Sequence, residues 1–452
     1  MSAAAALPLV DPRTGRVRGR LAPGREGDVT GAVTGARRAF AAWGHLTPKE
    51  RAHRLERLAG LIEEHAGAYV ERERAGTGKP AGEASGEVAE AADLFRFYAW
   101  AARTSGSPAA GSLIGGHESW VRREPVGVVA AIVPWNYPLM MAAWRCAPAL
   151  AAGNCVVAKP AETTPDALVL LAEHAEEALG AGVLRAVPGD RETGRLLVGA
   201  DVDMIAFTGS AAAGADVAAR AGTRPVSLEL GGNSPVIVLP DAPRQTWADV
   251  AAACVYNAGQ SCAAPARVIA VGDAYEQAVT SLTGAMSERL AGRDFGPLNN
   301  PAQADRYDRI AGASGAKHDV TAGLATAAGE EGGFWRGARV LADLPEDSPA
   351  LVEEVFGPLL TVQPARDVEH ALDIAHGVPQ ALAASVWTRD VTCGLDLAGR
   401  LDAGEAWVNC HLVQTAELPH GGRRGSGQGT DLSVLALHEY QRPKTVTVRL
   451  LP

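Results

Sequence analysis

Apolar positions along this chain change period at definable points, and each change marks an element. Thr47-Pro48-Lys49-Glu50 offers a capping threonine, a proline at the first helical position and a glutamate for the capping box. Leu55, Leu58, Leu61 and Ile62 then fall on one helical face, and Gly76 and Gly78 close the pattern. Glu87 to Ala102 predicts a second helix with Leu94, Phe95, Tyr98 and Ala102 on its apolar side. Between Ser105 and Arg123 the period shortens to that of strands with glycines at the turns, as in a hairpin inserted into another domain. From Val126 short apolar runs alternate with helical patterns. The runs are Val128 to Val133, Cys155 to Ala158, Leu184 to Val187 and Met204 to Phe207. The helices between them are Leu139 to Leu150, Asp166 to Leu179 and a short one near Gly194 to Val198. Strands joined by crossover helices make a parallel sheet, whose ligands bind at the strands' carboxyl ends. A second αβ series starts near Pro235 with Val236 to Leu239 and includes Val386 to Thr388 and Trp407 to Asn409. Ala322 to Gly333 reads as a loop, and the alternation from Thr445 to Leu450 predicts a strand with one buried face. The predicted class is α/β.

Composition narrows the class of function. The chain has 452 residues, 47% hydrophobic and 21% charged, with a net charge of −10 and no dense Lys/Arg block. That is a globular protein of about two or three domains, with no surface suited to nucleic acid or an anionic membrane. No apolar run is long enough to span a bilayer, and Met1 to Val10 lacks the basic start of a signal peptide. The six cysteines (146, 155, 254, 262, 393 and 410) include no Cys-x-x-Cys pair. No metal site is expected, and free thiols fit a reducing, cytoplasmic setting.

Several stretches carry chemistry. Tyr256 to Cys262 ends a glycine-containing turn on a cysteine followed by Ala263, Ala264 and Pro265, so little bulk shields the sulfur from a carbonyl. A small buried thiol is the alternative reading of any single cysteine. Lys159 and Glu162 sit at a strand end, where both can bond ribose hydroxyls and the carboxylate would repel a 2′-phosphate; this favours NAD over NADP. A solvated ion pair is the other reading. Phe207-Thr208-Gly209-Ser210 opens a helix whose first amides, with the Ser210 hydroxyl, suit a pyrophosphate or cap the helix in the ordinary way. Asn136, between Pro134 and Pro138, is a neutral donor for an oxyanion or a turn residue. Glu229 lies in an apolar strand before Gly231 and Gly232, where a raised pKa and general-base work are expected. Glu354 and Phe356 adjoin the turn at Gly357-Pro358 and could hold a second ribose.

Together these motifs resemble the aldehyde dehydrogenase superfamily over nearly the whole chain, the order being Pro134 to Pro138, Lys159-Pro160-x-Glu162, Phe207 to Ser210, Glu229 to Gly232, Gly259-Gln260-x-Cys262, Glu354-x-Phe356-Gly357-Pro358 and Gly421 to Gly427. The resemblance implies an NAD-binding domain (1–104 and 126–230), an oligomerisation hairpin (105–125), a catalytic domain (231–429) and a C-terminal oligomerisation segment (430–452). It implies Cys262 as nucleophile, Asn136 as oxyanion donor and Glu229 as base. Lys159, Glu162, Gly209, Ser210, Trp135, Glu354 and Phe356 become the cofactor set. The product is a carboxylic acid, formed through a thiohemiacetal and a thioester, in a homotetramer or homodimer. The blocks 121–165 and 407–422 look most like the aminobutyraldehyde and betaine-aldehyde branch, which points to an aminoaldehyde substrate. Tyr137, Met141, Trp144, Glu87 and Glu90 are then expected along the substrate tunnel, with Trp387 as a further aromatic face. Alternatives are a dehydrogenase of neutral aldehydes, a semialdehyde enzyme using Arg424 to hold a carboxylate, or a non-catalytic scaffold. Three departures stand out: a late start without the leading strand pair, a short 287–333 region, and Arg423-Arg424-Gly425 near the tunnel.

Overall fold

Asp11 accepts a hydrogen bond from the Arg13 amide, and Gly15 closes the turn in the left-handed region at φ 68°. That turn pairs β1 (Leu7–Val10) with β2 (Val17–Leu21), so a leading strand pair is present, contrary to expectation. The computed structural model describes residues 6–104, 106 and 110–450. Thr47 and Glu50 form the predicted capping box, but the helix they open runs only over Pro48–Glu64. A separate helix, Ala66–Thr77, follows His65 and ends on Gly78 at φ 77°. The next helix, Ala81–Thr104, buries Leu94, Phe95 and Tyr98 as predicted.

The hairpin is β3 (Ala110–Ile114) and β4 (His117–Pro125); residues 105 and 107–109 of the expected segment lie outside the described ones. Then come β5 (Val128–Ile132), β6 (Cys155–Lys159), β7 (Leu184–Ala186), β8 (Met204–Thr208) and β9 (Val226–Glu229). β5, β6 and β8 are buried along their whole length, as strands covered by helices on both faces must be. β10 (Ser234–Val238), β11 (Pro265–Val271), β12 (His318–Thr321), β13 (Arg339–Ala342) and β14 (Leu359–Ala365) follow. The last are β15 (Gln380–Ala381), β16 (Ala383–Trp387), β17 (Glu405–Val408), β18 (Arg423–Arg424), β19 (Gly427–Gln428) and β20 (Gln441–Arg449).

One sheet has the order β19-β9-β8-β5-β6-β7, the other β12-β13-β14-β11-β10-β16-β17. In the first the chain winds from β5 out to β7, then returns to lay β8 on the other side of β5. The winding reverses between β5 and β8, which opens a ligand crevice at their carboxyl ends. β19 arrives from the far end of the chain and pairs antiparallel with β9, Gly427 opposite Glu229. β20 pairs with β4 over nine residues, yet most of its side chains are exposed, so the predicted buried face is absent within one chain. Trp387 is core: it is buried in the second sheet's cluster, its indole N–H donating to Ser385.

Arg145, on helix Pro138–Ala151, ties these parts together. Its guanidinium donates to Thr208 Oγ1, Ser227 Oγ and the Phe207 carbonyl, and lies 3.0 Å from the Asp431 carboxylate, both side chains being 1% exposed. Removing one partner of a buried ion pair strands the other charge. Arg145→Met is expected to cost about 3–5 kcal/mol in urea unfolding. Burial already pushes the Asp431 carboxyl up to about 7, and without Arg145 it rises further. A carboxyl protonated in the fold but ionised when unfolded loses stability as pH rises above its unfolded value. The variant's deficit should therefore be larger at pH 8 than at pH 5.

Candidate active site

After helix Thr246–Val255 the chain makes three consecutive left-handed residues, Asn257, Ala258 and Gly259, at φ 50°, 55° and 70°. Such a conformation costs on the order of 1–3 kcal/mol per non-glycine residue and persists only when its surroundings over-determine it. Here they do. Asn257 donates through Nδ2 to the carbonyls of Asn136 and Gln260, while Gln260 donates to the carbonyls of Asn257 and Pro297 and accepts from the Asn299 amide. A Cβ on Gly259 would lie 2.3 Å from the Gly357 carbonyl oxygen, so only glycine fits. The turn delivers Cys262 half-buried on the floor of a cleft of about 590 Å³, within the ordinary range for small-molecule sites.

Tyr137, Met141 and Trp144 from helix Pro138–Ala151 and its cap line the cleft, with His411 and with Tyr256, whose ring stacks on that of Tyr137 at 6.4 Å between centroids. Glu90, Asp93 and Asp249 rim the cleft, and among the described residues no Lys or Arg lines it. Glu87 is elsewhere. It is 1% exposed and holds Lys79 in a buried ion pair, Nζ lying 2.6 Å from Oε2. Residues three apart on a helix are about 60° apart around it. Glu90 and Glu87 straddle the line between the exposed and buried sides, which is why one faces the cleft and the other the core. Arg424 is exposed and donates to the carbonyls of His376 and Val378, outside the cleft lining.

The Asn136 side chain donates to the Gln260 carbonyl at 2.9 Å, which fixes its amide against the loop that carries Cys262. Its own carbonyl is held by Lys79 as well as Asn257. Glu229 ends β9 almost fully buried, and its carboxyl is not raised as the sequence implies. Burial pushes it up, but the His420 imidazole, 3.5 Å from Oε1, and Arg145 outweigh that and leave it below its ordinary value. His420 Nδ1 lies 3.0 Å from Glu405 Oε2. Gln414 Nε2 is as close to Nδ1, at 3.0 Å, and itself donates to the same Glu405 oxygen; a proton on Nδ1 lets that carboxylate, which only accepts, take both bonds. Burial alone would lower the His420 pKa; Cys262, Glu229 and Glu405 raise it well above the usual value. Burial and Glu229 push the Cys262 thiol up to about 12, and His420 pulls against them.

Cys262, His420 and Glu229 place their donor atoms within 4.8 Å of one another, a set that in composition could hold a metal ion. No metal cluster was expected, because residues 229, 262 and 420 have no spacing signal. His420 and Glu405 also escape sequence reasoning, lying in loop and strand contexts with no motif between them. Asp93 could have been found, being one turn beyond Glu90 on the same helix.

At the crevice, Lys159 ends β6 with Nζ donating to the carbonyls of Pro160 and Gly189 and 3.9 Å from Glu162. Ser210 caps helix Ala211–Ala221, its hydroxyl accepting from the Ala213 amide, and Gly209 bridges to the Glu229 carbonyl. Trp135 meets Phe356 edge to face with ring centroids 5.5 Å apart. Glu354 turns inward to accept from the Gly232 amide at 2.9 Å, and burial pushes its carboxyl up to about 7.

The sequence profile of the aldehyde dehydrogenase family matches residues 1–446. Betaine aldehyde dehydrogenase of Bacillus subtilis is 34% identical, the match covering 94% of this chain and 90% of that one. The crystal structure of gamma-glutamyl-gamma-aminobutyraldehyde dehydrogenase from Burkholderia cenocepacia superposes with a TM-score of 0.94 at 38% identity, over 99% of this chain and 94% of that one. Indole-3-acetaldehyde dehydrogenase of P. syringae, in complex with NAD+, gives 0.95 at 32% identity, over 100% and 95%. The fold and site define an oxidoreductase acting on aldehydes. The chain belongs to the aldehyde dehydrogenase family.

Gly232 sets the approach of the two halves of the site, since a Cβ there would lie 2.1 Å from the Cys262 carbonyl oxygen. Gly232→Ala should push the loop that carries Cys262 away. Misplacing a reacting group by about 1 Å costs roughly 100-fold, so kcat is expected to fall by that order, measured by steady-state aldehyde oxidation.

Proposed function

We propose that the protein oxidises an aminoaldehyde such as 4-aminobutyraldehyde to its carboxylic acid with NAD as cofactor. The carrying observation is Cys262 on the cleft floor, with Glu229 and the Asn136 amide converging on its loop from separate elements. The donor set at the crevice fits a dinucleotide. Lys159 and Glu162 suit the adenine ribose, with the Glu162 carboxylate disfavouring a 2′-phosphate and so NADP. Gly209, Ser210 and the helix behind them suit the pyrophosphate, together with Trp135; Glu354 and Phe356 suit the second ribose.

Cys262 attacks the aldehyde carbon as the thiolate. The oxygen that gains charge is stabilised by the Asn136 amide and the Cys262 backbone N–H, such donors being worth about 3 kcal/mol each. NAD⁺ supplies the acceptor for the hydride lost from that carbon, leaving a thioester on Cys262. Glu229 is ionised at neutral pH because of His420 and Arg145, so it can take the proton of the water that hydrolyses the thioester. The turn at 257–259 holds the sulfur in place through each step.

The substrate reading rests on the rim. Glu90, Asp93 and Asp249 place three carboxylates at the mouth, and Tyr137, Trp144 and Tyr256 supply the aromatic faces that attract a cation. The absence of Lys and Arg from the lining, with Arg424 turned elsewhere, disfavours an anionic semialdehyde. The Bacillus subtilis relative named for betaine aldehyde, a cationic aldehyde, supports this reading. Met140, Met141 and Leu412 give the inner cleft an apolar lining, and this supports neutral aliphatic aldehydes as the second reading.

The test is NADH absorbance with 4-aminobutyraldehyde, betaine aldehyde, hexanal, benzaldehyde and succinate semialdehyde, with Cys262→Ala as control. Preference for the cationic aldehydes, abolished in the control, is expected. The Glu90→Gln/Asp93→Asn double variant should lower kcat/KM for the cationic aldehydes roughly fivefold, given exposed charges worth about 0.2–1 kcal/mol each, and leave hexanal unchanged. Equal loss on hexanal would sink the charge argument, and turnover surviving Cys262→Ala would sink the mechanism.

We propose a homo-oligomer, dimer or tetramer, a reading supported by the three-stranded sheet, which leaves Leu113, Ile114, Trp120 and Val448 exposed. Light scattering on a sizing column should give a multiple of 46.8 kDa, and a monomer mass would overturn this. The cytoplasm is the compartment proposed, from six free thiols. Among the described residues no helix is long and apolar enough to cross a membrane.

A further inference from the structure

The mechanism above leaves two buried groups beside the nucleophile without a task. His420 is fully buried, and its ring stands edge-on to Trp144 with centroids 5.0 Å apart. Its backbone exchanges two hydrogen bonds with Asp431, His420 N to Asp431 O at 2.8 Å and the reverse at 2.7 Å. Its Nδ1 lies 3.0 Å from both Glu405 Oε2 and Gln414 Nε2, and the Glu405 carboxylate also accepts from the Gln414 amide at 2.9 Å. Its Nε2 is different. That nitrogen and both Glu229 oxygens are buried without a partner of hydrogen-bond geometry, although Nε2 lies 3.5 Å from Oε1 and the Cys262 sulfur is within 4.8 Å. A buried nitrogen without a partner is costly unless some state of the site uses it.

We propose that His420, oriented by Glu405, takes the proton of Cys262, so that the nucleophile is delivered as a thiolate–imidazolium pair. This rests on Cys262 being the nucleophile. In the step, the S–H bond breaks, the proton moves to Nε2, and the electron pair stays on sulfur. The Nδ1–H remains on Glu405, and no charge is created overall. The arrangement is that of a nucleophile, a base and a group that orients the base. His420 faces the reacting sulfur within 4.8 Å and is the proton acceptor of the pair, while Glu405 is a positioning residue.

The charges facing the imidazole favour this. Glu229 comes from β9 and Glu405 from β17, and Asp431 from the segment before the last helix; all can compensate an imidazolium. Arg145 is the opposing cation, but it is paired with Asp431. Glu229 remains free to serve the later hydrolysis, so the two proton transfers fall to two different groups.

Iodoacetamide alkylation of Cys262 tests this without aldehyde or cofactor. The rate is followed from pH 5 to 10 by mass spectrometry of the Cys262 peptide in the full chain. Loss of the imidazole that pulls against burial and Glu229 should slow alkylation in His420→Phe about tenfold on the rising part of the profile, which moves up by about one unit. Glu405→Gln should lie between the two, because the imidazole stays but its orienting charge is gone. An unchanged profile in His420→Phe overturns the proposal. If that variant melts early and cannot be assayed, the Glu405→Gln profile decides, a shift supporting the proposal and superposition on wild type overturning it. Dehydrogenase turnover in Cys262→Ala would instead defeat the functional reading, a result the alkylation profile cannot mimic.

Discussion

The pairing of β19 with β9 is the constraint on which the site depends. It is only two residues long, yet it sets Gly427 opposite Glu229 and brings a segment from near the end of the chain over the first sheet. Ser426 fastens it, its hydroxyl donating to the Gly231 carbonyl and accepting from the Ala381 amide, while its carbonyl accepts from Leu230 N–H. A Cβ on Gly427 would lie 2.2 Å from the Leu228 carbonyl oxygen, so the strands approach as closely as backbone allows. Without this seam, residue 420 would have no reason to stand beside residues 229 and 262.

The buried charges follow from that seam. Arg145 lies under it and satisfies β8, β9 and Asp431 at once. One buried cation near Asp431 and Glu229, with His420 as a second, keeps Glu229 ionised in a place where burial alone would protonate it. A carboxylate in an apolar strand has a raised pKa only if its charge partners are ignored. Here the partners come from helix 138–151 and from the loop after β17.

How much of this could be read from residues alone depends on where each signal resides. The first sheet was readable because its strands are short apolar runs with capped helices between them, and helix Asp166–Leu179 falls where its pattern begins and ends. The cysteine turn and the motifs at 134–138, 159–162 and 207–210 were readable because each is contiguous. His420 and Glu405 were not, since their meaning lies in a contact between elements that no local period encodes. The leading hairpin gives little periodic signal because its strands are only four and five residues long, and its turn is set by Asp11 and Gly15 alone. The buried face expected of β20 was a correct inference about alternation applied to a strand whose partner surface is not in the same chain.

Glu87 shows how a displaced residue can still serve the site. It does not reach the cleft, but it neutralises Lys79, and Lys79 holds the Asn136 carbonyl and sits 4.7 Å over the Tyr137 ring. Glu73 and Glu83 crowd the same pocket, and burial pushes their carboxyls up to about 8 and about 7. With one ammonium among three carboxyls, full ionisation would leave excess negative charge in a low-dielectric space, so protons are retained there instead. The Asn136 backbone is thereby clamped between Lys79 and Asn257, from two elements far apart in the chain. An oxyanion donor is useful only if it need not reorganise when charge appears. The acidic pair read as a substrate-binding face divides the work: Glu90 stays at the rim, and Glu87 acts from behind through the rigidity of Asn136.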